Sequence, residues 1–156
     1  MQNLARTVST AGFVLALSLA APLQPAQAAN ATAIQNLKTG RCLDSNAAGE
    51  VYTLPCQGGN NYQHWDTYQD GSGWWKLRNT ATGRCLDANG RGQVYTLPCQ
   101  SGNDYQLWEW DGPDGSGASM HLLHVQDVRS LDGNAQGGVY TLPTQWDNGY
   151  QIWNPR

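Results

Sequence analysis

An aspartate and a tyrosine recur at a fixed offset in three places along the chain. Each tyrosine follows its aspartate by eight residues and lies in the pentapeptide VYTLP, which is repeated unchanged at 51–55, 94–98 and 139–143. A carboxylate can accept hydrogen bonds from two adjacent hydroxyl groups, and a tyrosine ring can cover an apolar C–H face while its own hydroxyl hydrogen-bonds. These residue types therefore suit recognition of a sugar ring. The pairs are Asp44 with Tyr52, Asp87 with Tyr95, and Asp132 with Tyr140.

The leucine of each pentapeptide is placed to complete an apolar wall beside the tyrosine. A structural alternative exists for the aspartates, because aspartate often satisfies the backbone amides of a turn. Considered alone, that interpretation is at least as good, but the threefold recurrence with tyrosine favours ligand binding. The three leucines are Leu54, Leu97 and Leu142.

The pairs belong to an internal repeat that covers most of the chain. Eight residue positions of the first copy recur 43 residues later, and six of them recur again after a further 45 residues. In the third copy Ser130 and Thr144 stand where the first two copies have cysteine. The repeated positions of the first copy are Cys42, Asp44, Asn46, Val51, Cys56, Asn60, Gln63 and Trp65.

The elements that must position these side chains are short strands. In the first copy the pattern predicts strands at 33–37, 41–44, 51–54 and 62–68, which is about four strands per repeat. No window has convincing helical periodicity. Propellers normally need at least four blades, so we predict an all-β fold, a closed β-trefoil with pseudo-threefold symmetry and repeats of about 43 residues at about 33–75, 76–120 and 121–156.

The N-terminus and the cysteines indicate an exported protein. Arg6, the apolar run at 12–21 and the small-residue site at 26–28 predict a secretory signal peptide over residues 1–28. The mature domain is then 29–156, outside the cell. Cysteine spacings of 14 in this setting predict two local disulfides, Cys42 with Cys56 and Cys85 with Cys99.

The closing triplet of each copy carries a resemblance to a known family. With the wording LDSN, VYTLP, GGN and YQxW, the chain resembles the ricin-type β-trefoil lectins with their QxW signature, and among them the actinohivin-like mannose-binding lectins. Gln57, Gln100 and Gln145 depart from that pattern, which has asparagine there. The triplets are Gln63-His64-Trp65, Gln106-Leu107-Trp108 and Gln151-Ile152-Trp153.

The resemblance implies a lectin without cofactor or metal whose partners are mannose-rich glycans, with galactosides or plant polysaccharides such as xylan as alternatives. The QxW glutamines and tryptophans are expected to be structural. Each pocket would gain an asparagine and a second tyrosine. These further members are Asn60 and Tyr62, Asn103 and Tyr105, and Asn148 and Tyr150.

The third copy departs from the other two in ways that suggest a softer pocket. Trp146 replaces a small residue, Val128 replaces a turn glycine, and no disulfide connects Asp132 to Tyr140. We therefore expect the third pocket to be the weakest or the most altered in specificity.

Other classes of function are less well supported. The formal net charge of −3 argues against a nucleic-acid partner. His121 and His124 are a weak metal signal, and no nucleophile or metalloprotease motif predicts an enzyme. The recurring acids occupy like positions in different repeats, whereas a glycosidase needs two acids in one site. A protein-binding or inhibitory trefoil remains the other alternative; we expect a monomer that does not insert into membranes.

Overall fold

The computed structural model describes residues 31–112 and 119–156. The predicted signal peptide, residues 1–28, lies outside the described residues. The described residues form three short 3₁₀ turns, Asn61–Gln63, Asp104–Gln106 and Gly149–Gln151. They contain no helix long and apolar enough to cross a membrane. The described strands are β1 (Ala31–Asn36), β2 (Arg41–Ser45), β3 (Val51–Pro55), β4 (His64–Gln69), β5 (Trp75–Asn79), β6 (Arg84–Ala88), β7 (Val94–Pro98), β8 (Trp108–Asp111), β9 (Met120–His124), β10 (Arg129–Gly133), β11 (Val139–Pro143) and β12 (Ile152–Pro155).

Six strands close into a barrel. Strand β1 pairs with β4 and β12, β5 pairs with β4 and β8, and β9 pairs with β8 and β12, all antiparallel. The other six form three hairpins, β2–β3, β6–β7 and β10–β11, each joined to the barrel through β1, β5 or β9. Closure leaves the barrel without a free edge. This arrangement is a β-trefoil, as the sequence predicts.

The core is built from equivalent residues of the three repeats. Each QxW tryptophan is fully buried, and its indole N–H donates to a leucine carbonyl of the hairpin in its own repeat, at 2.9–3.1 Å. A buried indole that finds such a partner contributes apolar area without leaving a polar atom unsatisfied. The fully buried triplets are Trp65, Trp108 and Trp153; Leu43, Leu86 and Leu131; and Ile34, Leu77 and Leu122.

The three hairpins are joined to one another in a closed cycle. A threonine N–H in the second strand of each hairpin donates to a glycine carbonyl in the loop of a neighbouring hairpin. A Cβ on Gly49, where φ is +92°, would lie 2.7 Å from the Thr96 carbonyl oxygen, so this close approach requires glycine. The bonds are Thr96 to Gly49, Thr141 to Gly92 and Thr53 to Gly137, at 2.8–2.9 Å.

One strand prediction is wrong at its start. Residues 62–68 were expected to form a strand, but Tyr62 and Gln63 belong to a 3₁₀ turn and the strand begins at His64. The side chain of Asn60 accepts a hydrogen bond from the Tyr62 N–H and thereby caps this turn. An asparagine cap stabilises a turn that a hydrophobic pattern does not reveal.

Candidate functional site

Each recurring aspartate faces its tyrosine across a hairpin. Asp87 on β6 is the register partner of Tyr95 on β7, and the equivalent pairs occupy the same register in the other two hairpins. Side chains directly opposite in an antiparallel pair lie close together on one face of the sheet. The eight-residue spacing therefore positions one carboxylate beside one phenol three times.

In the second repeat the five predicted site residues line a single cleft of about 230 Å³. Asp87 is only 2% exposed, whereas Leu97 and Tyr105 are 37% and 43% exposed. The carboxylate is therefore the buried polar group of an otherwise open, partly apolar cleft. The five residues are Asp87, Tyr95, Leu97, Asn103 and Tyr105, and sequence reasoning missed two further lining residues, Asn89 and Gly90.

The missed asparagine had a visible signal, because asparagine recurs at the same place in every copy. Asn89 holds its loop through its side-chain oxygen, which accepts from the N–H groups of Arg91 and Gln93. Its side-chain amide donates to the Gln93 side chain at 2.8 Å. The equivalent residues are Asn46 and Asn134.

The predicted site asparagines have a structural role as well. The side-chain oxygen of Asn103 caps the 3₁₀ turn by accepting from the Tyr105 N–H at 3.1 Å. Its amide donates to Gln100 at 3.1 Å and approaches the Asp87 carboxylate at 3.4 Å. Asn103 therefore contacts both Asp87 and the 3₁₀ turn that carries Tyr105. Asn60 and Asn148 make the same capping contact.

Burial is the main influence on the pKa values of the three acids. Burial raises the pKa of the Asp87 carboxyl above its usual 3.8, while hydrogen bonds with the side chains of Gln106 and Tyr95 act in the opposite direction. The pKa values of Asp44 and Asp132 are raised for the same reason. Each hydroxyl group that donates a hydrogen bond to a buried carboxylate stabilises its charged form.

The facing tyrosines keep their protons at neutral pH. Burial, and then the negative charge of Asp87, raise the pKa of Tyr95 above 10.0. Burial and then the charge of the facing aspartate likewise raise the pKa values of Tyr52 and Tyr140. Each phenol therefore keeps its O–H as a hydrogen-bond donor to the facing carboxylate, and its oxygen can accept a hydrogen bond from a ligand.

The QxW glutamines fix the segment that follows each hairpin. Gln106 donates to the Pro98 carbonyl at 3.1 Å and accepts from the Gln100 N–H at 2.9 Å. Gln63 and Gln151 make the equivalent contacts. These glutamines lie beside the pocket and hold its backbone, with each side chain buried.

Both predicted disulfides are formed, and each spans the base of its hairpin. Cys42 bonds to Cys56, and Cys85 bonds to Cys99, with Cα atoms 5.0 Å apart in each case. At the equivalent place in the third repeat, the Ser130 hydroxyl donates to the Thr144 hydroxyl at 2.9 Å.

The two candidate metal histidines are buried and have separate partners. His121 contacts the Ser130 hydroxyl at 3.3 Å and the ring of Trp146 at 4.9 Å between centroids. His124 hydrogen-bonds to Asp127 and to a backbone carbonyl. Within residues 31–112 and 119–156 no group of three or more His, Cys, Asp or Glu side chains is arranged to hold a metal ion.

Comparison with known proteins assigns the same fold to almost the whole described chain. The family model of the ricin-type beta-trefoil lectin domain matches residues 30–153. Among solved structures, the designed threefold-symmetric protein ThreeFoil superposes with a TM-score of 0.67 at 23% identity, over 80% of this chain and 96% of that one.

Two further solved structures are similar at still lower identity. SeviL, solved bound to asialo-GM1 saccharide, has a TM-score of 0.67 at 20% identity, over 81% of this chain and 95% of its own. A GlcNAcα1-4Gal-releasing endo-β-galactosidase from Clostridium perfringens has a TM-score of 0.70 at 15% identity, over 80% of this chain but only 31% of the enzyme. At these identities the likeness establishes the fold.

Proposed function

The chain belongs to the ricin-type beta-trefoil lectin family, and from that premise we propose that it is a secreted, non-enzymatic lectin with as many as three equivalent pockets for mannose-rich glycans. One observation carries the proposal: five side chains suited to a sugar line one cleft in the second repeat. The same five residue types recur at the equivalent positions of the other two repeats.

The pocket offers complementary chemistry to a pyranose ring. The buried Asp87 carboxylate accepts hydrogen bonds from sugar hydroxyl groups, and the oxygen of the Tyr95 phenol, whose O–H donates to Asp87, accepts another. Leu97 and the exposed ring of Tyr105 face the apolar C–H surface of the sugar. Binding of this kind is reversible and uses no metal ion.

Three pockets increase binding strength through multivalency. A shallow single-sugar pocket typically binds near millimolar, about −4 kcal/mol. Simultaneous use of two or three pockets on a branched glycan gains about a hundredfold or more where the spacing permits. Multivalency is therefore a physical reason to keep three copies.

Secretion is part of the proposal. Residues 1–28 have the composition of a signal peptide, and two disulfides are compatible with an extracellular protein. N-terminal sequencing of the protein recovered from an expression medium tests this directly, and Ala29 is the expected first residue.

The test of binding is a glycan array probed with the disulfide-bonded protein and with a triple variant, Asp44→Asn, Asp87→Asn and Asp132→Asn. Asparagine keeps the shape of each carboxylate and removes its charge. The control variant carries Asp104→Asn and Asp147→Asn. These two acids are exposed and lie in the second and third repeats. We expect the protein and the control to bind mannose-terminated glycans and the triple variant to lose at least about tenfold in affinity.

Other outcomes would separate the parts of the proposal. Binding to galactosides or xylan instead would keep the lectin and remove the mannose assignment. Release of reducing sugar from a bound oligosaccharide would contradict a non-enzymatic lectin. A folded protein that binds no glycan would overturn the proposal and direct attention to protein partners.

A further inference from the structure

A second cleft lies between the first and second repeats, outside the five-residue pocket. It has a volume of about 570 Å³, within the range of about 300–1,000 Å³ that small-molecule sites occupy. Its first-repeat side consists of Ala47 and Tyr62, and its second-repeat side consists of the turn at 81–84 together with Pro98 and Cys99.

The repeat places this cleft next to the first pocket. In the second repeat, Gly90 and Tyr105 line the five-residue pocket. Their equivalents in the first repeat are Ala47 and Tyr62, which line the inter-repeat cleft. Tyr62 is 43% exposed and lines the cleft, and by its equivalence to Tyr105 it also belongs to the first pocket.

Two small residues open the cleft on its far side. Ala81 and Gly83 lie in the β5–β6 turn, and the Ala81 N–H bonds to the Asn61 carbonyl of the 3₁₀ turn that presents Tyr62. A methyl group and a glycine leave the surface beside the Tyr62 ring uncovered.

The equivalent turns of the other repeats carry larger side chains. Beside the third pocket, Lys38 occupies the position of Ala81. Its aliphatic chain lies against Gly149: a Cβ atom built on that glycine would be within 3.7 Å of Lys38 Cβ and Cδ. Beside the second pocket the equivalents of Ala81 and Gly83 are Gln126 and Val128, both exposed. The extension is therefore particular to the first pocket.

We propose that the first pocket continues into a subsite for the second and third sugars of a linear oligosaccharide, which makes this pocket selective for chain length. The subsite deepens the proposed function and rests on it. Ala47, Ala81 and Pro98 in its lining supply apolar surface that suits sugar C–H faces, and Thr82 and Arg84 supply polar groups.

The test is an NMR titration of the isotope-labelled, disulfide-bonded protein with mannose and with mannotriose. Amide signals of Asp44 and Tyr52 report the first pocket, those of Ala81 and Gly83 report the subsite, and that of Tyr140 reports the third pocket. We expect mannotriose to shift the Ala81 and Gly83 signals and to bind the first pocket about tenfold more tightly than mannose. At the third pocket the gain should be at most about threefold.

Two exchanged substitutions make the test specific. Ala81→Lys should reduce the ratio of mannotriose affinity to mannose affinity at the first pocket to the ratio at the third. It should leave the affinity for mannose unchanged. Lys38→Ala should raise the gain at the third pocket. Both positions are exposed, so neither variant disturbs the core.

The outcomes distinguish the subsite from the lectin. If mannotriose saturates the first pocket without shifting Ala81 and Gly83, or if Ala81→Lys keeps the full gain, the subsite is overturned and the lectin stands. The same holds if only the other pockets bind. If neither sugar shifts any pocket signal, the mannose assignment fails and the subsite fails with it.

Discussion

The first two repeats and the third build the same hairpin on different supports. In the first two, a disulfide closes the hairpin base. In the third, the Trp146 ring packs on His121, which contacts the Ser130 hydroxyl, which in turn donates to Thr144. A contact network has replaced a covalent bond while the core tryptophan and leucine of the repeat stay fully buried.

The β1–β2 type of turn has been rebuilt as well. In the first two repeats an asparagine, Asn36 or Asn79, donates to the carbonyl of a pocket tyrosine and accepts from a threonine of its own turn. In the third repeat His124 bonds to the Tyr105 carbonyl and Asp127 replaces the threonine. The comparison teaches that the core carries the fold, whereas the supports around each pocket can be exchanged.

Removing the supports should give the largest difference between the repeats. Cys85→Ala with Cys99→Ala should lower the free energy of unfolding by about 3 kcal/mol, because the closed loop of about 15 residues no longer restricts the unfolded chain. Thr144→Ala removes the hydroxyl pair, keeps the Ser130 contact with His121, and should cost about 1 kcal/mol. Urea unfolding followed by tryptophan fluorescence measures both, and equal losses would contradict the comparison.

Installing the missing disulfide should have a somewhat smaller effect. Ser130→Cys with Thr144→Cys gains about 3 kcal/mol from the loop and loses about 1 kcal/mol for each of the two hydrogen bonds of Ser130, so the net gain is about 1 kcal/mol. If the third pocket is soft for want of this bond, its glycan affinity should rise toward that of the second. Ser130→Cys alone is the control, and unchanged affinity in a fully oxidised variant would refute the soft-pocket hypothesis.

Val128 offers a third contrast, in backbone conformation. Its φ is +54°, a region that β-branched residues rarely adopt, and its side chain is 68% exposed, so little burial offsets the strain. Val128→Gly removes about 1–2 kcal/mol of strain and costs about 0.5–1 kcal/mol of chain entropy, for a net gain of up to about 1.5 kcal/mol. Gly83→Val, at φ +68°, is the reverse substitution and should lower the melting temperature. If both variants have the melting temperature of the unsubstituted protein, backbone strain at this turn does not distinguish the repeats.

Much of this organisation could be predicted from the sequence because it is periodic. The period predicts the three hairpins, the disulfides and the residues that share a cleft, since equivalent residues occupy equivalent places. The structural roles of single residues were missed. Asn60 recurs, but its part as a turn cap is not visible in the period, and Trp146, in the turn after β11, packs on His121 of β9.

The buried aspartates are common to all three repeats, and substituting them should have the smallest effect on stability. Burial raises the folded-state pKa of Asp44, Asp87 and Asp132, so the folded protein binds more protons than the unfolded chain just above pH 3.8. Stability therefore falls as the pH rises through the folded pKa and stays lower above it. Each Asp→Asn change should slightly raise the melting temperature at pH 7, reduce the pH dependence between 3 and 7, and abolish binding at its own pocket. Thermal melts across that pH range check this repeat by repeat. If Asp132→Asn destabilises at pH 7 while the other two do not, the acid of the third repeat holds its hairpin together in place of the disulfide, and the equivalence of the three pockets ends there.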